Sequence, residues 1–454
     1  MHSLATLLTT TNLGLVSPRG LVCPSLLKGR RSTRVARVQK LRVPGLFQVL
    51  ASSVLLCSLC GGANASEVTI TSVLTQASLN HPSVKLRQSD VLAAQSELRG
   101  AEWGRYPSLG AELQAASGGG VTVARVTQPL WTGGRLTGQI AVAEANLTVS
   151  KALLAEAQQA IMLEATASFF EIQRVSERLV AAKANELEHK RLLETIQRRV
   201  KSEISPVTDA TQAQARLQQA VAERLQFERQ LETLRIGLEQ IVGKLQGPLR
   251  PPSKIPMDQW STDALLEAAK SYSPEMQRRE AQIQAAGAQI ITAKAAIMPQ
   301  LSLQQEFKMG SIPAGTDRSR TYLSLSVQTG AGLSTLSAID VVAARQQAAR
   351  DGLEQNVRLL EQTVRTTWND VNALTMQLKP SQDLLEASDE VVSSYLRQFQ
   401  VGRKMWLDVL NAQREKTNAR YALTDIETPL LFSKIRLLLL VGAVRPGSMG
   451  AIYE

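Results

Sequence analysis

The chain contains the same unit twice. The segment "SEISPVTDATQAQ" at 202–214 returns as "VGRKMWLDVLNAQ" at 401–413, which places Asp209 and Asp408 at equivalent positions 199 residues apart. Self-similarity at a fixed offset over a long stretch indicates a duplication. Other identical pairs keep an offset of 192 or 199: Pro82 with Pro274, Pro107 with Pro299, Gly133 with Gly332, and Gly243 with Gly442. We therefore expect both copies to fold in the same way.

The duplication divides the chain into regions: a leader at 1–65, a first copy at 66–246, a proline-rich linker at 247–258, a second copy at 259–445 and a tail at 446–454. Hydrophobic patterning predicts the same order of elements in each copy. That order is a helical stretch (71–103 and 262–297), two strands (about 108–130 and 300–328), a long helix (about 134–202 and 334–401) and a return helix (about 206–244 and 405–442). Each long helix would span roughly 100 Å.

The second long helix has a heptad pattern. Alternate steps of three and four residues from Val357 to Phe399 meet thirteen positions, of which ten are apolar. Such a seam is typical of a coiled coil, and helices of this length need partners along their whole length. The predicted fold class is therefore mainly α, with long antiparallel coiled-coil helices and four β-strands in each chain.

The predicted strands have one apolar and one polar face. In "QLSLQQEFK" (300–308), Leu301, Leu303 and Phe307 alternate with polar residues. Strands of about nine residues are long enough to span a bilayer when they are tilted. Four strands cannot close into a barrel, however, and the unpaired backbone groups at their open edges are costly in hydrocarbon. The pattern thus favours a membrane sheet that several chains complete. The alternative is a secreted or periplasmic structural coiled-coil protein without channel activity.

The positive charge lies mostly in the leader. The formal net charge is +11, yet residues 1–66 hold eight Lys or Arg and no acidic residue, which leaves +3 for the remainder. This distribution argues against nucleic acid as a partner. The basic stretch, an uncharged run and "ANA" at 63–65 predict a secretory signal cleaved after Ala65, with Ala63 as the other small residue of the site. The alternative is a retained membrane anchor. The first forty residues are long for a signal, which a misplaced start codon or an organellar transit peptide would explain.

Cysteine and histidine are too few for a metal or thiol site. Cys23, Cys57 and Cys60 lie in the leader, and only His81 and His189 follow it. The sequence therefore predicts no metal and no cofactor. An enzyme is not expected either, because "GGRLTG" (133–138) lacks the Lys-Ser/Thr of a phosphate-binding loop.

Two motifs and the duplication resemble a known family. The segments "PLWTGGRL" (129–136) and "VGRKMWLDVLNAQ", within a two-copy organisation over roughly 67–443, are similar to outer-membrane efflux proteins of the TolC type. The resemblance implies a homotrimer with a shared twelve-stranded β-barrel in outer-membrane lipid and an α-helical tunnel in the periplasm. It implies a passive conduit that exports small molecules or polypeptides in tripartite efflux or type I secretion. Its partners would be a periplasmic adaptor (membrane fusion) protein and an inner-membrane pump or ATPase.

The resemblance also implies roles for individual residues. Pro129, Gly133, Gly134 and Gly332 would form the joints between strand and helix, although "QTGAGLS" at the second joint departs from the family pattern. The two corners would be periplasmic tips that close the tunnel through Thr208, Asp209, Phe399, Gly402, Lys404, Asp408 and Asn411. Phe399 stands where the family has Tyr, Lys404 where it has Arg, and Asn411 where it has a second Asp. The alternative is that Asp209 and Asp408 only cap their helices.

Overall fold

The structure is a computed structural model, which describes residues 68–116, 119–244, 247–252, 255, 257, 260–312, 315–328 and 334–445. The predicted leader with Ala63 and Ala65, the joint residue Gly332, the tail at 446–454 and part of the linker lie outside the described residues. Those assignments stay predictions.

Both copies have the same elements in the same order. The first copy comprises α1 (Ile70–Asn80), α2 (Pro82–Trp103), β2 (Ser108–Ala116), β3 (Gly119–Trp131), α3 (Arg135–Lys201) and α4 (Val207–Val242). The second comprises α5 (Thr262–Tyr272), α6 (Pro274–Ala295), β5 (Gln300–Gly310), β6 (Ser319–Ser326), α7 (Ser334–Gln400) and α8 (Trp406–Leu440). Two short strands, β1 (Val68–Thr69) and β4 (Leu249–Arg250), pair in parallel. Both long helices, α3 and α7, have 67 residues.

Each copy begins with two helices where the sequence predicted one helical stretch. The helices are separated at His81 in the first copy and at Ser273 in the second, where ψ is 136° and 116°. A proline follows both residues, and proline restricts the residue before it to extended conformations. Pro82 and Pro274 then open the second helix, where the missing N–H would have had no helical partner. The prediction of a continuous stretch was wrong at these positions.

The four longest helices pack side by side in the order α4, α3, α8, α7. The inner pair, α3 and α8, buries many more described side chains than α7 does. Most of the side chains that α7 buries lie on the predicted heptad seam: Val364, Thr367, Val371, Val392 and Phe399. The seam is thus the surface through which α7 contacts the rest of the chain.

Buried apolar side chains form clusters along the helices. The largest cluster joins several helices around Phe169, Leu265 and Leu437, far from the corners. A smaller one surrounds Phe227, and another lies at the two corners. In the part of the chain that the structure describes, no helix combines the length and hydropathy that crossing a membrane requires.

The longer strands form one antiparallel sheet in the order β2-β3-β5-β6. The central pair, β3 and β5, comes from different copies, and the described chain supplies no further strand beyond β2 or β6. The register places apolar residues on one face, where they are exposed: Leu109, Leu113, Leu303, Phe307, Leu323 and Leu325. The opposite face carries polar and charged side chains of all four strands, together with Val121 and Val123 of β3.

Candidate functional site at the helical corners and the sheet

The first corner joins α3 to α4. Glu203 adopts a left-handed conformation (φ 59°), which no other non-glycine residue among those described does. Its N–H donates to the carbonyl of Val200 (3.0 Å), and the N–H of Ile204 donates to the carbonyl of Arg199 (2.9 Å). These two hydrogen bonds form a Schellman motif, which satisfies the last carbonyls of a helix.

The second corner, between α7 and α8, repeats this backbone. Gly402 has a φ of 77°; its N–H donates to the carbonyl of Phe399 (3.1 Å), and the N–H of Arg403 donates to that of Gln398 (2.9 Å). Gly402 is the duplicate of Glu203. Glycine meets the left-handed conformation without strain, whereas a residue with a Cβ pays roughly 1–2 kcal/mol.

The acidic residues of the two corners differ in their contacts. Asp408 accepts a hydrogen bond through Oδ2 from the backbone N–H of Met405 (3.2 Å), which is the N-cap of α8. The equivalent N-cap of α4 is Pro206, which has no N–H to donate. The carboxylate of Asp209 accordingly has no hydrogen bond or ion pair with any described residue. The side chain of Asp408 therefore caps its helix, whereas that of Asp209 does not.

Lys404 contacts residues of its own corner. Its Nζ lies 3.9 Å from Oδ2 of Asp408 and 4.2 Å from the centre of the Tyr395 ring. Within the described chain it forms no ion pair with Asp209. A partly exposed pair of this kind contributes about 0.2–1 kcal/mol.

Phe399 is buried between the two corners. The residue is only 6% exposed, and its ring centre lies 5.3 Å from that of Trp406. The guanidinium of Arg199 lies over the Phe399 ring, 4.7 Å from its centre. The cluster around it draws residues from both corners: Leu192, Leu193, Ile196, Ala213, Leu217, Trp406, Val409 and Leu410. Phe399 therefore holds the two corners of one chain together, and a direct part in a gate stays a prediction.

The remaining predicted corner residues lie at or near the surface. Thr208 and Gly402 are exposed, and Asn411 is half-buried. The side chains of Thr208 and Asn411 make no hydrogen bond within the described chain. Like Asp209, they are free to contact another molecule.

The first joint between strand and helix depends on its glycines. Gly133 and Gly134 have positive φ values of 59° and 96°, and Gly134 is the N-cap of α3. A Cβ on Gly133 would lie 2.4 Å from Cβ of Met298, so this turn approaches the other copy too closely for a side chain. Pro129 lies just before an irregularity in the pairing of β3 with β5.

An ion-pair network occupies the polar face of the sheet. Glu306 accepts hydrogen bonds through Oε1 from Nε and Nη2 of Arg125 (3.0 and 2.7 Å), and from the hydroxyl of Tyr322 (3.0 Å). Its other oxygen accepts from Arg320 (3.3 Å). The network therefore links three adjacent strands.

A buried histidine lies between the helices above the corners. His189 is 6% exposed, and its Nδ1 has no hydrogen-bond partner. It lines a cavity of about 130 Å³ whose walls come from α3, α4 and α8 and carry Arg216, Glu223 and Arg414. Burial, and next the charge of Arg216, hold the pKa of His189 below its usual value. The packing thus favours the neutral imidazole.

Comparison with known proteins identifies the family. The family model described as Outer membrane efflux protein matches residues 73–244 and 265–443. The chain belongs to the outer membrane efflux protein family. The two matched segments correspond to the two copies of the duplicated unit.

Individual proteins are similar to this efflux protein over most of its length. Outer membrane efflux protein BepC of Brucella suis biovar 1 (strain 1330) is 21% identical over 423 residues, 89% of this chain and 92% of BepC. The solved structure of CusC has a TM-score of 0.74 at 18% identity and covers 83% of this chain and 92% of CusC. That of VceC from Vibrio cholerae has a TM-score of 0.72 at 17% identity and covers 82% of this chain and 96% of VceC. These likenesses confirm the predicted fold class for one chain.

The corners of this efflux protein also present an apolar surface that the sequence analysis missed. The side chains concerned are largely exposed: Ile204, Val207, Val401, Met405 and Leu407. A signal was available in the sequence, because turns normally hold Gly, Pro, Asn, Asp and Ser, and these corners place apolar residues beside them.

Proposed function

We propose that three copies of this chain form a conduit in the outer membrane, with their sheets joined in a twelve-stranded barrel and their helices in a periplasmic tunnel. The observation that carries the proposal is the sheet. Among the described residues it has an exposed apolar face and two edges without partner strands, and β3 and β6 are each followed in the chain by a 67-residue helix. Family membership supports the same function.

The edges of the sheet support the shared barrel. In hydrocarbon, each unpaired backbone group costs several kcal/mol, so a strand edge must find a partner. Pairing β6 of one copy with β2 of the next satisfies both edges and repeats around a closed ring. The exposed apolar face then lies against lipid, and the polar face lines the interior.

The helices support the same contact between copies. Since α4 and α7 are the outer helices of the row, α7 of one copy meets α4 of the next. Both helices expose large apolar side chains: Leu225 and Ile236 on α4, and Leu359, Met376 and Leu384 on α7. Six helical corners then surround one mouth.

The corner residues form the gate in this proposal. Asp209 has no hydrogen bond or ion pair with the described residues of its own chain, so its carboxylate is available to Lys404 of a neighbouring copy. Thr208, Asp408 and Asn411 lie close to the same mouth. Weak, partly exposed contacts suit a closure that a partner has to open, and a lysine makes a point contact where arginine would form a fork.

The exposed apolar corners are the contact surface for a periplasmic adaptor (membrane fusion) protein. The adaptor connects the conduit to an inner-membrane pump or ATPase, which supplies the energy. The chain itself acts as a passive route for small molecules or polypeptides.

Native mass spectrometry of the detergent-extracted protein tests the assembly, and planar bilayers test the channel. The proposal expects three copies and discrete conductance steps. A stable monomer that still inserts into lipid would contradict the shared barrel. Fractionation without detergent into the soluble pool would instead favour the structural coiled-coil protein.

A further inference from the structure

The polar face of the sheet carries more accessible positive than negative charge. We infer that this face makes the wall of the proposed barrel selective for anionic solutes, with Arg320 and Lys308 as the residues that determine the selectivity. The inference rests on the proposed trimeric barrel, because only closure of the sheet turns this face into the lining of a pore.

The register assembles the charges in one row. Arg125 of β3 stands opposite Gly110 of β2 on one side and Glu306 of β5 on the other, and Glu306 stands opposite Arg320 of β6. The row therefore crosses all four strands. Three copies would continue it around the barrel as a ring with two arginines and one glutamate from each chain.

The acid in this row is covered by its partners. The side chain of Glu306 is only 7% exposed, whereas those of Arg125 and Arg320 are 46% and 59% exposed. Each guanidinium uses part of its donor fork on Glu306 and keeps the rest accessible. A solute in the interior therefore meets the two cationic heads rather than the carboxylate between them.

Tyr322 holds this arrangement in place. Its hydroxyl lies 3.0 Å from Oε1 of Glu306 and 2.8 Å from Oε1 of Gln304. The guanidinium of Arg320 lies 4.6 Å above the Tyr322 ring. The ring thus fixes Arg320 over the polar face through a contact between a cation and an aromatic ring.

The neighbouring row adds to the positive charge. Lys308 stands on the same face as Glu306, two residues along β5, opposite Val123 of β3. It forms no ion pair with any described residue. Among the described residues of this face in the strands, three are basic (Arg125, Lys308 and Arg320) and two are acidic (Glu112 and Glu306). The excess is one positive charge per chain, and the covered Glu306 increases the effective difference.

Gly110 leaves room in the ring. A Cβ at this position would meet no atom within 4 Å, and the next side chain along the row is Arg125. In the closed barrel, Gly110 would therefore leave a gap in the ring beside each pair of arginines. Rings of Arg or Lys are the arrangement by which pores select anions.

Reversal potentials of the reconstituted trimer under a KCl gradient test the inference. Removing a positive charge in Arg320→Gln or Lys308→Gln should lower the permeability ratio of chloride to potassium. Glu306→Gln should raise it, because the carboxylate is lost and both guanidiniums stay. Arg320→Lys serves as the matched control, and it should keep the wild-type ratio because the charge is preserved.

If Arg320→Gln weakens the barrel, Lys308→Gln is the deciding variant, because Lys308 forms no ion pair with any described residue. Intact trimers that conduct with an unchanged ratio in both Arg320→Gln and Lys308→Gln would overturn the inference and leave the proposed conduit standing. A protein that forms trimers but no channels at all would overturn the proposed function and the inference with it.

Discussion

Glu203 and Gly402 occupy the same position in the two corners, and both take the left-handed conformation that the turn requires. Pro206 and Met405 are also equivalent residues of the two corners, but only Met405 has a backbone N–H, which donates a hydrogen bond to Asp408. The second corner thus has the less strained backbone and the capped helix, whereas the first carries strain and a carboxylate that has no hydrogen bond or ion pair with any described residue. A duplicated backbone can therefore divide its tasks: the second corner stabilises its helix end, and the first leaves a carboxylate for the contact between copies that we propose.

The largest expected difference concerns the residue pair Phe399 and Val200, which are equivalent in the two copies. Phe399→Ala should destabilise the tip by about 3–5 kcal/mol, because it empties a buried position against Trp406. Val200→Ala should cost about 1 kcal/mol, since Val200 is only half-buried. Thermal unfolding followed by circular dichroism, with proteolysis at the corners, measures both. Equal losses would mean that the two corners are packed alike.

The glycines at the ends of α4 and α8 give the next largest contrast. A Cβ on Gly442 would lie 2.3 Å from the Tyr272 ring, whereas one on its duplicate, Gly243, would meet nothing within 4 Å. Both have positive φ, and Gly243, with φ 97° and ψ −177°, lies in a region that is essentially restricted to glycine, so Gly243→Ala should cost about 1–3 kcal/mol from backbone strain alone. Gly442→Ala adds overpacking of typically 1–3 kcal/mol. The Tm of Gly442→Ala should therefore fall further than that of Gly243→Ala. The reverse order would refute the contact with Tyr272.

The two acidic residues should separate stability from gating. Asp408→Ala removes a cap and should cost about 0.5–2 kcal/mol. Asp209→Ala should leave the Tm nearly unchanged, yet raise single-channel conductance by opening the proposed gate. Lys404→Ala should raise conductance as well, and Lys404→Arg should lower it because a fork replaces a point contact.

A double variant checks whether Asp209 and Lys404 act on each other. If they are partners, Asp209→Ala combined with Lys404→Ala should add little to either single change. Unchanged conductance in both single variants, with intact trimers, would remove these residues from the gate.

Exchanging the residues at the left-handed position should reverse the contrast between the corners. Glu203→Gly should stabilise the first corner by about 0.5–1 kcal/mol, because it relieves the strain at the cost of a more flexible unfolded chain. Gly402→Ala should destabilise the second corner by about 1 kcal/mol. Chemical denaturation of matched samples measures both. If Glu203→Gly lowers stability, the glutamate side chain makes a contact that outweighs its strain.

The smallest expected effect depends on pH. The pKa of His189 is lower in the folded chain than its unfolded value of about 6.5, so the unfolded state binds the proton more readily. Its contribution to stability is therefore complete above that pH and is lost as the pH falls below it. Burial and the charge of Arg216 oppose the protonation of His189, while the charge of Glu188 favours it. The Tm should fall less between pH 7 and pH 5 in His189→Gln than in the wild type; an identical fall would exclude His189 as the cause.

The sequence predicted the parts of the fold that repeat at short range. The heptad seam of α7 and the alternation in β5 are periodic, so they could be recognised without knowing what packs against them. The break at His81 followed from a local rule about proline that the longer helical pattern concealed.

The candidate site was harder to predict because its contacts join distant residues. Arg125 and Glu306 are 181 residues apart, and only the pairing of β3 with β5 brings them together. The burial of Phe399 likewise depends on α3 and α8. The difference between Asp209 and Asp408 rests on one backbone N–H, and seeing it requires knowing which residue begins each helix.

The equal length of α3 and α7 restricts how such a chain can change in evolution. One inserted residue in a single long helix would raise its corner by about 1.5 Å and turn the following side chains by about 100°. An acceptable insertion would come in heptads and in every long helix at once, so that the corners stay level. The connection between β5 and β6 has no such restriction, and more residues separate these strands than separate β2 from β3. Proteins with this architecture should therefore vary freely at the hairpin ends and change the reach of their helices only in whole steps.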